Sequence, residues 1–338
     1  MSLERIKRRA VRVSSENQVS GHCLNNGDEF IYVLEPALND VDLIAWARAN
    51  KRLIESKLYQ HGAILFRGFD VNSVGQFESF TVAASDQTME YRERSSPRSQ
   101  VGERIYTSTD YPPDQTIFPH NEHSYSLTFP LKLFFYCVLP ARTGGETPLA
   151  DTRRILQSVS VATRARFAEK KWMYVRNFGD GFGLSWQTVY QTDDRSVVER
   201  YCLNSGIEFE WKDGNRLRTR QVREAMLRHP QTGELTWFNH ITFFHISTLP
   251  SNLRDAIIAD FDEADYPNNT YYGDGSAIEP EVMDELRAAY QRHLTSFSWR
   301  QGDIVLLDNM LTSHARSAYQ GDRRILFAMS EPFTRKGE

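Results

Sequence analysis

In the second half of this chain strand signals outnumber helix signals and do not alternate with them, which constrains the fold more than any other feature. Residues 132–139 form a β-rich run that ends at Pro140, with a Gly144-Gly145 turn behind it. Residues 303–307 and 324–329 read as two further strands separated by a loop. Residues 235–249, with Trp237, Phe238, Phe243 and Phe244, read as a strand pair or a strand and loop. A doubly wound parallel sheet needs a helix after nearly every strand. This order instead predicts an antiparallel β core with helices packed outside it. One such helix begins near Asn39 or Asp40, places Leu43, Ala47, Ile54 and Leu58 on one face and stops at Gly62. It leads into an apolar strand over 63–66. Asp151 caps a helix running to about Lys170, and Pro280 opens another whose apolar stripe is Val282, Leu286, Ala289 and Tyr290.

No repeat or linker divides the 338 residues, so a single catalytic domain over 1–338 is expected, with residues 1–25 as an N-terminal arm. The arm's basic residues, Arg5, Lys7, Arg8, Arg9 and Arg12, read as a solvated terminus. A net charge of −4 argues against a nucleic-acid partner, and no apolar run is long enough to span a bilayer. Cys23, Cys137 and Cys202 form no C-x-x-C pair, which argues against a disulfide framework or zinc knuckle and points to a reducing cytoplasm. Residues 92–118 are polar, with Ser95-Ser96-Pro97 and Pro112-Pro113, and read as a long irregular loop of the kind that covers or lines a site. Oligomeric state is not legible, and a homo-oligomer stays open.

The most informative segment is Phe118-Pro119-His120-Asn121-Glu122-His123-Ser124-Tyr125. In an extended chain residues two apart share a face, so His120 and Glu122 project together and His123 points away. His123 therefore reads as a neighbour of the ligands or a solvent-facing side chain. His314 follows a predicted strand, and Arg323-Arg324 opens the next. Two imidazoles and one carboxylate leave three positions of a metal open, the arrangement of non-haem Fe(II) oxygenases. An arginine then offers a planar fork to the far carboxylate of a keto acid. Asn121 and Tyr125, beside the ligands, and Asn239 and His240, in an aromatic stretch with Trp237, Phe238 and His245, are substrate-pocket candidates; strand support or a satisfied core histidine is the competing reading. Arg216, Arg218, Arg220 and Arg223 read as a solvated face.

Over about residues 63–332, four ordered motifs resemble those of the taurine dioxygenase and clavaminate synthase-like superfamily of Fe(II)/2-oxoglutarate oxygenases. His120-Asn121-Glu122 resembles its H-x-D/E, and the run from Pro140 to Thr147 its Gly-Gly-Asp/Glu-Thr element. His314 matches the distal ligand, and Arg324, ten positions later, best matches the 2-oxoglutarate arginine, with Arg323 beside it. The resemblance implies a double-stranded β-helix (jelly roll), Fe(II) held by His120, Glu122 and His314, and Thr147 and Arg324 or Arg323 on 2-oxoglutarate. Oxygen is the third reactant; succinate and CO2 are released as an unactivated C–H bond is oxidised. The substrate class implied is a small molecule, an amino acid either free or tethered to a carrier protein, in a natural-product pathway. Hydroxylation is the expected outcome, with desaturation or ring formation the alternative. Halogenating relatives keep a small residue where Glu122 stands. A zinc deaminase would need P-C-x-x-C and a metalloprotease H-E-x-x-H, and neither occurs. The remaining rival is a non-catalytic jelly-roll binding module.

Overall fold

The structure is a computed structural model that describes residues 18–90, 93, 98–108, 111–179, 181 and 183–335. Its architecture is mainly β with flanking helices. A nine-stranded sheet runs in the order Val19–Asn25, Asp28–Pro36, Ala63–Phe66, Ile304–Asp308, Thr128–Leu139, Arg324–Thr334, Ile105–Thr107 and Gln100–Gly102, with Thr88–Met89 on the Arg324–Thr334 strand. Every pair along it is antiparallel except Asp28–Pro36 with Ala63–Phe66.

The long strand Thr128–Leu139 shows why the layers form. Successive side chains point to opposite faces, so Phe134 and Tyr136 join Ile304, Leu306 and Leu326 against the helix residues Trp46, Ile54, Leu58, Phe77 and Phe80. Leu133, Phe135 and Cys137 face the other way with Val305, Leu307 and Phe327, and meet Leu149 of a second sheet. That three-stranded sheet orders Leu149–Asp151, Thr312–Arg316 and Ile117–His120. The two sheets facing across this core make the jelly roll. Phe134 and Phe80 are fully buried, and each such side chain is worth about 1.5–3 kcal/mol of transfer free energy. A third, four-stranded sheet (Ile207–Lys212, Arg216–Arg223, Trp172–Phe178, Asn268–Tyr272) packs through Trp172 and Tyr174 against Tyr125, Trp237 and the helix Pro280–Arg292.

Several expectations need correction. The helix expected from Asn39 starts at Leu43, because the Asp42 carboxylate accepts from the Ile44 and Ala45 amides, and it breaks at Asn50 into Leu43–Ala49 and Lys51–His61. The helix after Asp151 is also two, since Ser160 caps a new start at Val161. Phe243 and Phe244 lie on a short helix, Ile241–Phe244, rather than a strand. The expected irregular loop contains the hairpin Gln100–Gly102 with Ile105–Thr107; Ser95, Ser96 and Pro97 fall outside the described residues. The same holds for the basic residues Arg5 to Arg12, whereas Val19–Asn25, assigned to the arm, is a paired strand. His314 sits within a strand of its own, Thr312–Arg316. No helix among the described residues is long and apolar enough to cross a membrane.

Candidate active site

The small sheet brings two histidines together directly. His314 pairs with His120 across two antiparallel strands, and their ring centroids are 4.4 Å apart. On its other side His314 is opposite Leu149, two residues beyond Thr147. The strand Ile117–His120 ends at its histidine, and Glu122 stands in a turn rather than on an extended strand, with the Ser124 amide donating to the Asn121 carbonyl and the Ser126 amide to that of His123. His123, at φ +56°, lies within this turn.

What aims Glu122 at the histidines is an amide clamp that sequence reasoning missed. The Asn309 side chain accepts from the Glu122 amide at 2.8 Å and donates to the carbonyls of Glu122 at 2.9 Å and Pro130 at 2.8 Å. In return, the Asn121 side chain donates to the carbonyls of Asn309 and Thr312. Behind the clamp, Asp308 accepts from the Met310 and Leu311 amides and from buried His229 at 2.9 Å, which sets the turn leading into the His314 strand. The buried Asn309 amide, with its oxygen and nitrogen both bonded, fixes this geometry tightly.

The result is a cluster in which His120, Glu122 and His314 each offer a ligand atom, all within 4.8 Å of one another. The Nδ1–H of His120 donates to the Phe118 carbonyl at 2.9 Å, which leaves Nε2 as its ligand atom. Burial pushes both imidazoles below their usual range, with His314 lowered further by His120 and Arg98. Burial raises the Glu122 carboxyl, but Arg98 and then the imidazoles of His123 and His120 outweigh it and hold the group below the carboxylate range. Two neutral imidazoles and an ionised carboxylate are the protonation states a divalent cation requires, and this donor set fits iron(II).

Arg98 is a second residue without a sequence signal. Its guanidinium donates to Glu122 Oε2 at 2.9 Å and lies 4.0 Å above the Phe327 ring, 3% exposed. With His120, His314, Phe135, Thr147, Arg316 and Arg323 it lines a cavity beside the cluster. Thr147 is buried there, its hydroxyl accepting from the Trp299 indole at 3.1 Å.

Of the two adjacent arginines, Arg323 lines this cavity and Arg324 is exposed, the reverse of the preference drawn from spacing. The cause is a bulge: Arg324 pairs with Leu139 but Ile325 with Cys137, so one residue of the partner strand is skipped and the faces exchange. Arg323 then passes over Gly145, donating from Nε to its carbonyl at 2.9 Å. Gly145 has φ +72°, and a Cβ there would sit 3.0 Å from the Arg323 side chain, so the glycine makes room for the arginine. Burial, then the neighbouring charge of Arg316, pushes Arg323 down to about 10.

None of the four substrate candidates lines the cavity. Asn121 serves the clamp, and Asn239 donates to the Ala225 carbonyl and accepts from the Ile241 amide. The Tyr125 hydroxyl donates to the Glu93 carbonyl at 2.8 Å. His240 bonds Ser124 and stacks on Phe244 at 4.7 Å, its imidazole held well below its usual range by burial. His123 is buried rather than solvent-facing, and its Nε2 lies 3.7 Å from Glu122 Oε1. Trp237 and Phe238 are core residues, and His245 is half-buried and bonded to Ser247. Of the arginines assigned to a solvated face, Arg223 is instead buried, donating to the carbonyls of Tyr125 and Ser205.

A family model described as taurine catabolism dioxygenase TauD, TfdA family matches residues 32–330. Dapdiamide synthesis protein DdaC of Enterobacter agglomerans is 38% identical over 279 residues, 82% of this chain and 85% of that protein. The clavaminate synthase-like protein At3g21360 of Arabidopsis thaliana is 26% identical over 305 residues, 87% of this chain and 89% of the relative. Among solved structures, PvcB from Pseudomonas aeruginosa superposes with a TM-score of 0.56 at 16% identity, covering 95% of this chain and 94% of that one. A taurine dioxygenase from Burkholderia xenovorans gives 0.55 at 15% identity, covering 95% and 93%. The structural matches establish the shared fold.

Proposed function

Since the chain belongs to the taurine catabolism dioxygenase TauD, TfdA family, and so is a 2-oxoglutarate-dependent non-haem iron dioxygenase, we propose that it hydroxylates an unactivated C–H bond of an amino acid, free or carrier-tethered, in a biosynthetic pathway. The observation that carries the reading is the convergence of His120, Glu122 and His314 within 4.8 Å at a cavity lined by Thr147 and Arg323. These three side chains would hold iron(II), which supplies the redox chemistry that couples loss of CO2 from 2-oxoglutarate to C–H oxidation by O2.

The remaining work belongs to the chain. Arg323 has no carboxylate partner among the described residues, donating instead to the Gly145 carbonyl and weakly to Ser108 Oγ at 3.4 Å. A buried cation in that position suits the distal carboxylate of 2-oxoglutarate, with the Thr147 hydroxyl as a further contact. Phe135 and Ile117 supply apolar wall that keeps water from the reacting carbon. Glu122 fills the position that halogenating enzymes keep open for chloride, so oxygen rather than chlorine is expected in the product. DdaC is named for dapdiamide synthesis, and that kinship supports a biosynthetic role; the amino-acid class rests on the motif resemblance.

The test is an amino-acid substrate screen read by succinate formation, followed by product mass under ¹⁸O2 in chloride-containing buffer. Gain of one labelled oxygen supports hydroxylation. Loss of two hydrogens would move the reading to desaturation or ring formation, and a chlorinated product would remove Glu122 from the ligand set.

A further inference from the structure

A second cavity, of about 490 Å³, is lined by three acids, Glu90, Glu93 and Glu103, by one cation, Arg104, and by Tyr190 and Tyr201 among others. That volume lies within the range of small-molecule sites. Residues 98–108 contribute to both cavities, with Arg98 and Ser108 on the first and Gln100 and Tyr106 on the second.

The chemistry of the second cavity centres on Glu93, which is 3% exposed. Its carboxylate accepts from Tyr201 O–H at 2.6 Å, Ser126 Oγ at 2.9 Å and Gln221 Nε2 at 3.3 Å. All three donors are neutral. Burial, and then the charge of Glu93, pushes the Tyr190 and Tyr201 phenols far above their usual range, so both remain neutral donors. The buried guanidinium of Arg176 lies against the rings of Phe178 at 4.7 Å and Tyr174 at 5.7 Å and feels the charge of Glu93 without touching it. No cationic side chain among the described residues makes an ion pair with Glu93. Hydrogen bonds and a more distant cation are an incomplete substitute for a direct ion pair on a buried carboxylate, and this one lines a cavity large enough to admit a ligand.

Glu93 is also tied to the metal-binding turn. Its main-chain carbonyl accepts from Tyr125 and its carboxylate from Ser126, the third and fourth residues after Glu122. A ligand paired with Glu93 would therefore be held against the segment that carries a metal ligand. We propose that this cavity binds the protonated primary amine of a small molecule, with Glu93 as its counter-ion. The inference deepens the amino-acid reading above and rests on it, with the amine as the recognised feature.

The test uses full-length protein loaded with Zn(II) and 2-oxoglutarate, which blocks turnover. The probes are the common L-amino acids and their N-acetyl derivatives, with binding followed by saturation-transfer NMR and calorimetry. At least one free amine should bind tenfold or more tightly than its N-acetyl derivative. Glu93→Gln should erase that preference while the visible band formed with Fe(II) and 2-oxoglutarate persists. If Glu93→Gln does not fold, the wild-type comparison of amine with N-acetyl derivative still decides. Equal binding of the two forms, or no amine binding at millimolar concentration, overturns the proposal when the band is present. Absence of the band from wild-type protein overturns the enzymatic reading first, and this proposal with it.

Discussion

On the outer face of the four-stranded sheet, Arg218 pairs with Asp265 at 2.8 Å and lies 3.6 Å from Glu210, and Arg220 lies 3.7 Å from the same glutamate. Around the cavity of the small sheet the arginines are deeper and their company differs. Arg98 pairs with Glu122, itself one of the three clustered donors, at 2.9 Å. Arg316 directs its donors to the main-chain carbonyls of Tyr111, Pro112 and Gln115, and Arg323 has no acid as an ion-pair partner among the described residues. Both regions would score alike in a count of charges. The exposed pair of Arg220 with Glu210 gains little, because water already solvates both partners, whereas a desolvated cation without an acid is poised for an anion from outside. Removing arginines one at a time tests whether that difference is real.

The largest effect is expected at Arg98. Arg98→Met leaves Glu122 buried without its counter-ion, which should destabilise the metal-free protein by about 3–5 kcal/mol. Denaturant unfolding with and without Mn(II) should show the loss shrinking once metal is bound. An equal loss in both states would assign Arg98 to packing on Phe327 instead. Next, Arg323→Ala should remove a desolvated carboxylate contact worth on the order of 2–5 kcal/mol and raise the 2-oxoglutarate requirement roughly tenfold to a thousandfold or more. A titration of the Fe(II)/2-oxoglutarate band reads this directly. Arg220→Ala, at the exposed pair with Glu210, should cost about 0.2–1 kcal/mol of stability, and less in high salt. Smallest of all, Arg324→Ala should stay within about 0.5 kcal/mol in unfolding and leave 2-oxoglutarate affinity unchanged. A larger affinity loss for Arg324→Ala than for Arg323→Ala would reverse the cavity assignment.

The contrast also marks how far the sequence could be read. The clustering of His120, Glu122 and His314 is legible in the sequence because metal chemistry demands those residue types, and their order survives whatever the local geometry does. Strand alternation does not place Glu122 beside His120: it stops at His120, and the turn beyond it is held by Asn309 from 187 positions away. No local pattern announces a clamp of that separation. Spacing favours Arg324 over Arg323 because it cannot reveal a bulge, and one skipped residue exchanges the two faces. Arg98 stands in a polar stretch without a motif, so its burial against Phe327 emerges only from the packed sheet. The alternation of Phe134 and Phe135 to opposite faces, by contrast, follows from residue order alone, and so does the antiparallel β core.

The central claim is that His120, Glu122 and His314 hold the iron to which 2-oxoglutarate binds. Its most direct test is the anaerobic visible spectrum of the wild-type protein and of His314→Ala with Fe(II) and 2-oxoglutarate. The wild type should develop the weak absorption band of an iron-chelated keto acid. His314→Ala, deprived of one of three protein ligands, should not develop it at concentrations that saturate the wild type. A His314→Ala protein that forms the band with wild-type affinity would contradict the account.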